Sequence, residues 1–182
     1  GLFHPMNNRQ KNSYVRRQIL QALLAMMEEQ DFPAISVSAL TARAGVGRAS
    51  FYRNFTGKED VLRQEAARLT QCWQREWEQR EDAAPNEFLI SLLDFYKQHA
   101  AFYRQLYRAG LSGIVLDTIL QSAAITRGLP NAAAYLRSAM TYMVYGWVIE
   151  WMRRGMQESG SELAKMIADA QSGGQADGGR NP

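Results

Sequence analysis

The sequence predicts an all-α protein in which a small three-helix unit at the amino end joins a larger helical body. Three observations predict it. Apolar residues recur at helical spacing along nearly the whole chain, strand-like alternation is almost absent, and Gly and Pro fall mainly at the boundaries of the periodic segments. With 182 residues and 46% apolar side chains, the chain can bury a substantial core, as one large domain or as a small one joined to a larger one.

The first helix is expected from about Asn12 to Gln30. Val15, Ile19, Ala22, Leu23, Met26 and Met27 form one apolar stripe, while Arg16, Arg17, Gln21 and Glu28 face away. Pro33 ends it by disfavouring helix in the preceding residue. Ser36 suits the N-cap of a second helix that presents Val37, Leu40 and Ala44 on one side. Gly45 suits a left-handed turn. A third helix follows from Gly47 or Arg48 to about Phe55. Thr56 and Glu59 then have the spacing of a capping box, opening a fourth helix that reaches about Arg80.

Beyond the Ala83-Ala84-Pro85 break, helices are expected over residues 86–100, 101–109 and 111–125. Gly128-Leu129-Pro130 interrupts again. A long helix over 131–157 would measure about 40 Å. Ser159-Gly160 ends it, and Ser161 and Glu162 open a last helix to about Gln171. Residues 172–182, Gly-rich and polar, are expected to form a disordered tail. No internal repeat is visible.

The net charge of +3 is modest, but it is unevenly spread. From Arg9 to Lys58 there are eight basic residues against Glu28, Glu29 and Asp31, while the remainder carries a slight acidic excess. A basic amino end on an acidic body is the footprint of a nucleic-acid-binding module; chance clustering on a solvated surface is the alternative. The single cysteine, Cys72, excludes an intrachain disulfide and reads as a small apolar filler on a helix. With no signal peptide visible, a reducing cytoplasm is the expected compartment. No apolar run reaches membrane-spanning length, so no membrane partner is expected. Residues 1–5 precede Met6, a candidate natural start.

The segment from Ser36 to Leu62 reads as a helix-turn-helix followed by a capped helix. Phe51 and Phe55, spaced i, i+4, can anchor the third helix on the first two. Arg48, Ser50, Tyr52, Arg53 and Asn54 are left to point outward. They supply a guanidinium for guanine, hydroxyls for phosphates or base edges, and an amide for adenine or phosphate. Lys58 opens the fourth helix, where its ammonium and the free backbone N–H groups suit a phosphate. The alternative is an ordinary surface on a three-helix unit.

The runs from Arg17 to Ala22, Phe32 to Val46 and Ser50 to Leu62 resemble the TetR family of one-component transcriptional regulators. The specific part of the likeness covers Arg16 to Leu62. The resemblance implies a DNA-binding domain over residues 9–57 and a helical ligand-binding and dimerisation domain over 58–171. It places Arg48, Ser50, Tyr52 and Asn54 at DNA-facing positions and Lys58 at the phosphate-binding lysine. Ser36 and Ser38 match positions that approach the DNA backbone. One departure is Gly47, where the family usually has Ser or Thr; glycine can still cap a helix, but without a hydroxyl.

The resemblance also implies a homodimer formed through the last two helices. The residues support this independently: Met140, Met143, Val144, Trp147, Val148, Trp151 and Met152 make a broad apolar surface, and Leu163, Met166 and Ile167 a second stripe. Internal packing is the alternative. A pocket for a small, largely apolar effector is expected among helices four to eight. Its candidate lining is Trp73, Trp77, Phe88, Leu92, Phe95, Tyr96, Phe102, Tyr103, Tyr107, Tyr142 and Met143, each of which can equally be core. His99 reads as a polar helix-end residue, and Glu150 as the partner of Arg154 at i+4, with a buried counter-ion for a cationic ligand as the alternative.

The expected function is a ligand-responsive repressor released from a pseudo-palindromic double-stranded DNA operator. A regulator answering to a protein partner instead is the alternative. An enzyme on a helical bundle is disfavoured: there are two histidines and one cysteine, with no Glu-x-x-His pair and no glycine-rich phosphate loop. No metal and no cofactor is expected.

Overall fold

The computed structural model describes residues 6–176. Among them are nine α-helices and no strand: α1 (Asn8–Glu29), α2 (Val37–Ala44), α3 (Arg48–Asn54), α4 (Lys58–Glu78), α5 (Pro85–Gln98), α6 (Ala100–Arg108), α7 (Gly113–Ser122), α8 (Asn131–Arg153) and α9 (Gly160–Ala176). A 3-10 turn, Phe32–Ala34, joins α1 to α2.

The first helix starts earlier than periodicity suggests, because Asn7 and Gln10 form a capping box. The Gln10 N–H donates to the Asn7 side chain at 2.9 Å, and the Asn7 N–H to the Gln10 side chain at 3.0 Å. Ile19, Ala22, Leu23 and Met26 are buried on one face, as the stripe predicts. Ser36 caps α2 by accepting the Ala39 N–H at 3.0 Å. Gly45 turns the chain with φ +68°, the left-handed region that glycine tolerates without strain.

The start of α4 differs from the expected capping box. Gly57, not Thr56, holds the N-cap position, and the Thr56 N–H donates to Asp60 at 2.9 Å. With the helix starting one residue later, the reach-back belongs to Asp60. Glu59 is thereby free to pair with Arg63 at 2.8 Å.

The core is continuous. Ile19, Leu23, Leu40, Phe51, Phe55, Val61 and Leu62 fill the amino-terminal unit, and Leu93, Tyr96, Tyr103, Leu106, Val115 and Val148 fill the body. α4 belongs to both, packing on α1 at one end and on α5 and α7 further along. Cys72 is exposed rather than a core filler.

Two of the body's helices, α7 and α8, end sooner than the sequence suggests. α7 stops at Ser122, followed by Ala124 at φ +50°. α8 stops at Arg153 rather than 157, because Gly155 (φ +84°) and Met156 (φ +52°) turn the chain sharply into α9. The Met156 side chain is buried there, and Lys97 donates to its carbonyl oxygen. α9 packs on α5, with Gly160 against Asp94. It runs on to Ala176, so part of the expected tail is helical; residues 177–182 lie outside the described residues, as do residues 1–5.

Candidate nucleic-acid interface and cavity

α3 divides its side chains as a groove-reading helix must. Phe51 and Phe55 are 0% and 4% exposed, with their ring centroids 5.6 Å apart. Truncating such a ring to alanine typically costs about 3–5 kcal/mol, so this pair fixes how the helix is seated. On the opposite side Arg48, Tyr52 and Arg53 are exposed, and Ser50 is half-buried. Arg48 crosses to α2, donating to the Ser38 hydroxyl at 2.6 Å, and its guanidinium lies 5.7 Å from the centroid of the Tyr52 ring. Arg53 donates to the Ser50 hydroxyl at 2.9 Å. The fold thus brings Ser38, Arg48, Ser50, Tyr52 and Arg53 onto one open surface. Ser36 lies at the start of α2 with its hydroxyl already used as a cap.

Two expected contact residues are occupied elsewhere. The Asn54 amide donates to the Ser50 carbonyl at 2.8 Å and accepts from Arg16 at 3.1 Å. That arrangement locks α3 to α1 instead of presenting the amide to a base. The Lys58 ammonium donates to the carbonyls of Phe32 and Ile35, at 2.5 and 2.8 Å, and lies 4.4 Å from the centroid of the Phe32 ring. Burial draws its pKa below the usual lysine value. Lys58 therefore braces α4 against the 3-10 turn rather than standing free for phosphate. Residue patterns also missed Arg16 and Gln64. Gln64 donates to the Asn54 carbonyl at 2.9 Å. No local signal could have found the Arg16 contact, because its partner is 38 positions away; Gln64 also donates to Asp60 at i−4, 3.0 Å away.

A cavity of about 280 Å³ opens among α4, α5, α7 and α8. Of the expected lining, Trp73, Phe88, Leu92 and Tyr96 contribute. The rest do not. Phe95, Phe102 and Tyr103 are buried in the core, and Tyr107 is half-buried against it. Trp77 packs on the outer side of Phe88 at 5.3 Å, and Tyr142 and Met143 are exposed. The remaining walls come from Thr70, Thr118, Ile119, Ser122, Ala123, Arg137, Met140, Thr141 and Val144, which a search for aromatic side chains overlooks. A wider and more polar groove of about 660 Å³ lies between α1 and α4, beside Arg16, Arg17, Glu65 and Arg68.

Residues 19–64, which span the helix-turn-helix, match the family model of the bacterial regulatory proteins of the tetR family. The amino-terminal unit is thus similar in sequence to the tetR-family regulatory proteins. The fold of the whole chain is shared along most of its length by solved structures. Lin0861 from Listeria innocua is 17% identical, with a TM-score of 0.75 over 93% of this chain and 95% of its own. A protein from Syntrophomonas wolfei assigned to the TetR-family transcriptional regulators is 16% identical, with a TM-score of 0.64 over 88% and 94%. A TetR transcriptional regulator from Streptococcus agalactiae is 16% identical, with a TM-score of 0.58 over 87% and 93%. The sequence matches no curated protein.

Apolar side chains stay uncovered on each of the last two helices. Leu136, Met140 and Met143 are 62%, 52% and 41% exposed on α8, and Met166 is 55% exposed on α9. Trp147 on α8 and Leu163 and Ile167 on α9 are half-buried. Trp151, expected on this face, is instead 3% exposed and lies in the core, on the side of α8 turned inward. Leu136 was missed because its neighbourhood, rich in alanine, carries little periodic signal. Glu150 pairs with Arg154 at 2.6 Å as expected, and also with Arg153 at 2.7 Å. Hydrogen bonds from Arg153 first, then from Arg154, pull the Glu150 carboxyl down to about 2. No helix among the described residues is long and apolar enough to cross a membrane.

Proposed function

We propose that this protein is a TetR-family member throughout, a cytoplasmic, ligand-responsive transcriptional regulator that binds a pseudo-palindromic duplex as a homodimer. Residues 9–57 form the DNA-binding domain, and residues 58–171 carry the effector and the partner subunit. The observation that carries the reading is the two-sided α3, with Phe51 and Phe55 buried and Arg48, Tyr52 and Arg53 open. Arg48, Ser50, Tyr52 and Arg53 contact base edges and phosphates, with Ser36 and Ser38 approaching the backbone. Asn54 and Lys58 act by holding α3 and the 3-10 turn in place. The exposed strip on α8 and α9 pairs two copies about a two-fold axis, so that two recognition helices enter grooves about 34–36 Å apart.

α4 supplies the coupling. Its first residue, Lys58, is hydrogen-bonded to the turn between α1 and α2, and its middle, Thr70 and Trp73, walls the cavity. A ligand seated there moves α4, and the pinned turn carries α2 and α3 with it. An effector preferring one arrangement by about 1–3 kcal/mol changes DNA affinity usefully. The expected direction is release, making the protein a repressor. Selection of bound genomic fragments by the intact protein tests the reading. A common two-fold-symmetric sequence supports it; retention of fragments without any shared sequence contradicts it.

A further inference from the structure

The cavity also states what kind of molecule fits it. Arg137 is the only charged residue among its described lining residues, and it stands on the rim. No carboxylate lies within ion-pair distance of its guanidinium among the described residues. Its protein contacts are long hydrogen bonds, 3.4 and 3.5 Å, to the carbonyls of Ala123 and Ala124 just past the end of α7. At such lengths they occupy the guanidinium weakly, and a planar fork of donors remains for a ligand.

The interior offers the opposite chemistry. Trp73, Phe88, Ile119 and Val144 are apolar. The hydroxyl hydrogens of Thr70, Thr118, Thr141 and Ser122 are already donated to carbonyls within their own helices. Tyr96 stays neutral, because burial drives its hydroxyl far above the ordinary tyrosine range. No carboxylate stands among the described lining residues to pair with a cation. A volume of about 280 Å³ equals the share of about nine waters at ~30 Å³ each, so it suits a ligand of about ten non-hydrogen atoms.

We infer that the cavity takes an amphiphile with a single carboxylate, its apolar body between Trp73, Phe88 and Ile119 and its head on the Arg137 guanidinium. The inference rests on the reading of this cavity as the effector site, but the two can fail separately. The head group is the discriminating feature, since an arginine fork matches a carboxylate in two parallel hydrogen bonds, and an alcohol offers only one neutral acceptor.

The experiment is isothermal titration of the full-length protein with octanoate, octanol and octylamine, each below its aggregation concentration. Octanoate should bind about tenfold more tightly than octanol, with octylamine weakest. Arg137→Gln should abolish the preference for the acid, bringing octanoate to about the affinity of octanol. Arg137→Glu should reverse the order in favour of the amine. Both variants change an exposed side chain, and their melting curves check that they fold. Equal affinity for octanoate and octanol, an unaltered preference in Arg137→Gln, or no binding of any of the three would overturn the inference. Should octanoate bind as described and leave DNA affinity unaltered, the inference stands and the effector reading falls.

Discussion

Replacing Lys58 with methionine separates a brace from a phosphate ligand. Methionine keeps an aliphatic stem over the Phe32 ring and removes only the ammonium. That ammonium donates to two carbonyls, at 2.5 and 2.8 Å, and lies over an aromatic face. Hydrogen bonds to charged groups contribute about 1.5–3 kcal/mol each, and an exposed cation–π contact about 0.5–1 kcal/mol. Two effects work against the full sum. Lys58 is only half-buried, so water screens the bonds, and the desolvation that lowers its pKa disfavours the charged form. The net loss is about 2 kcal/mol, or about 4–8 °C in melting temperature for a chain of this size. Thermal unfolding followed by circular dichroism measures it. A lysine serving phosphate alone would leave the melting temperature untouched and lower the salt slope of DNA binding by about one. An unchanged melting temperature refutes the brace.

Three further outcomes are expected. A methyl group at Gly160 would sit 2.7 Å from the Asp94 backbone nitrogen, so Gly160→Ala must separate α5 from α9. It should cost about 1–3 kcal/mol, read as a lower urea midpoint; an unaltered midpoint contradicts the close approach. The His99 pKa is lowered, first by burial and then by Arg68, so the unfolded chain takes up this proton at higher pH than the native one. This contribution is complete above the unfolded value of about 6.5 and is lost as pH falls toward the lowered native value. His99→Asn should flatten that decline in urea midpoints between pH 5 and 7, and identical profiles for the two proteins count against it. Met143→Glu places like charges across the proposed two-fold interface and should yield monomers in sedimentation, where dimers as abundant as in the parent would exclude this face.

The parts of the fold governed by local rules were legible in the sequence. Phe51 and Phe55 declare a buried seam by their spacing, Gly45 a left-handed turn and Ser36 a cap, and each stands where those rules put it. What depends on distant partners was not legible. Asn54 and Lys58 have the right chemistry for DNA, yet Arg16 and the Phe32 carbonyl, 38 and 26 positions away, hold them first. The cavity shows the same limit. Aromatic side chains are easily picked from a sequence, but a void forms where four helices fail to fill space, and here threonines and Arg137 complete it. Trp151 was misplaced because α8 is apolar around most of its circumference, so periodicity could not say which face turns inward.

The central claim is that the open flank of α3 is the surface that meets DNA. The most direct test is the affinity of the Tyr52→Ala, Arg53→Ala double variant for a duplex selected by the parent protein. Both side chains are exposed, so melting temperature should stay within a degree or two of the parent. Affinity should fall by about a hundredfold, as expected for the loss of two contacts worth about 1–3 kcal/mol each. Parental affinity in a properly folded double variant would contradict the account.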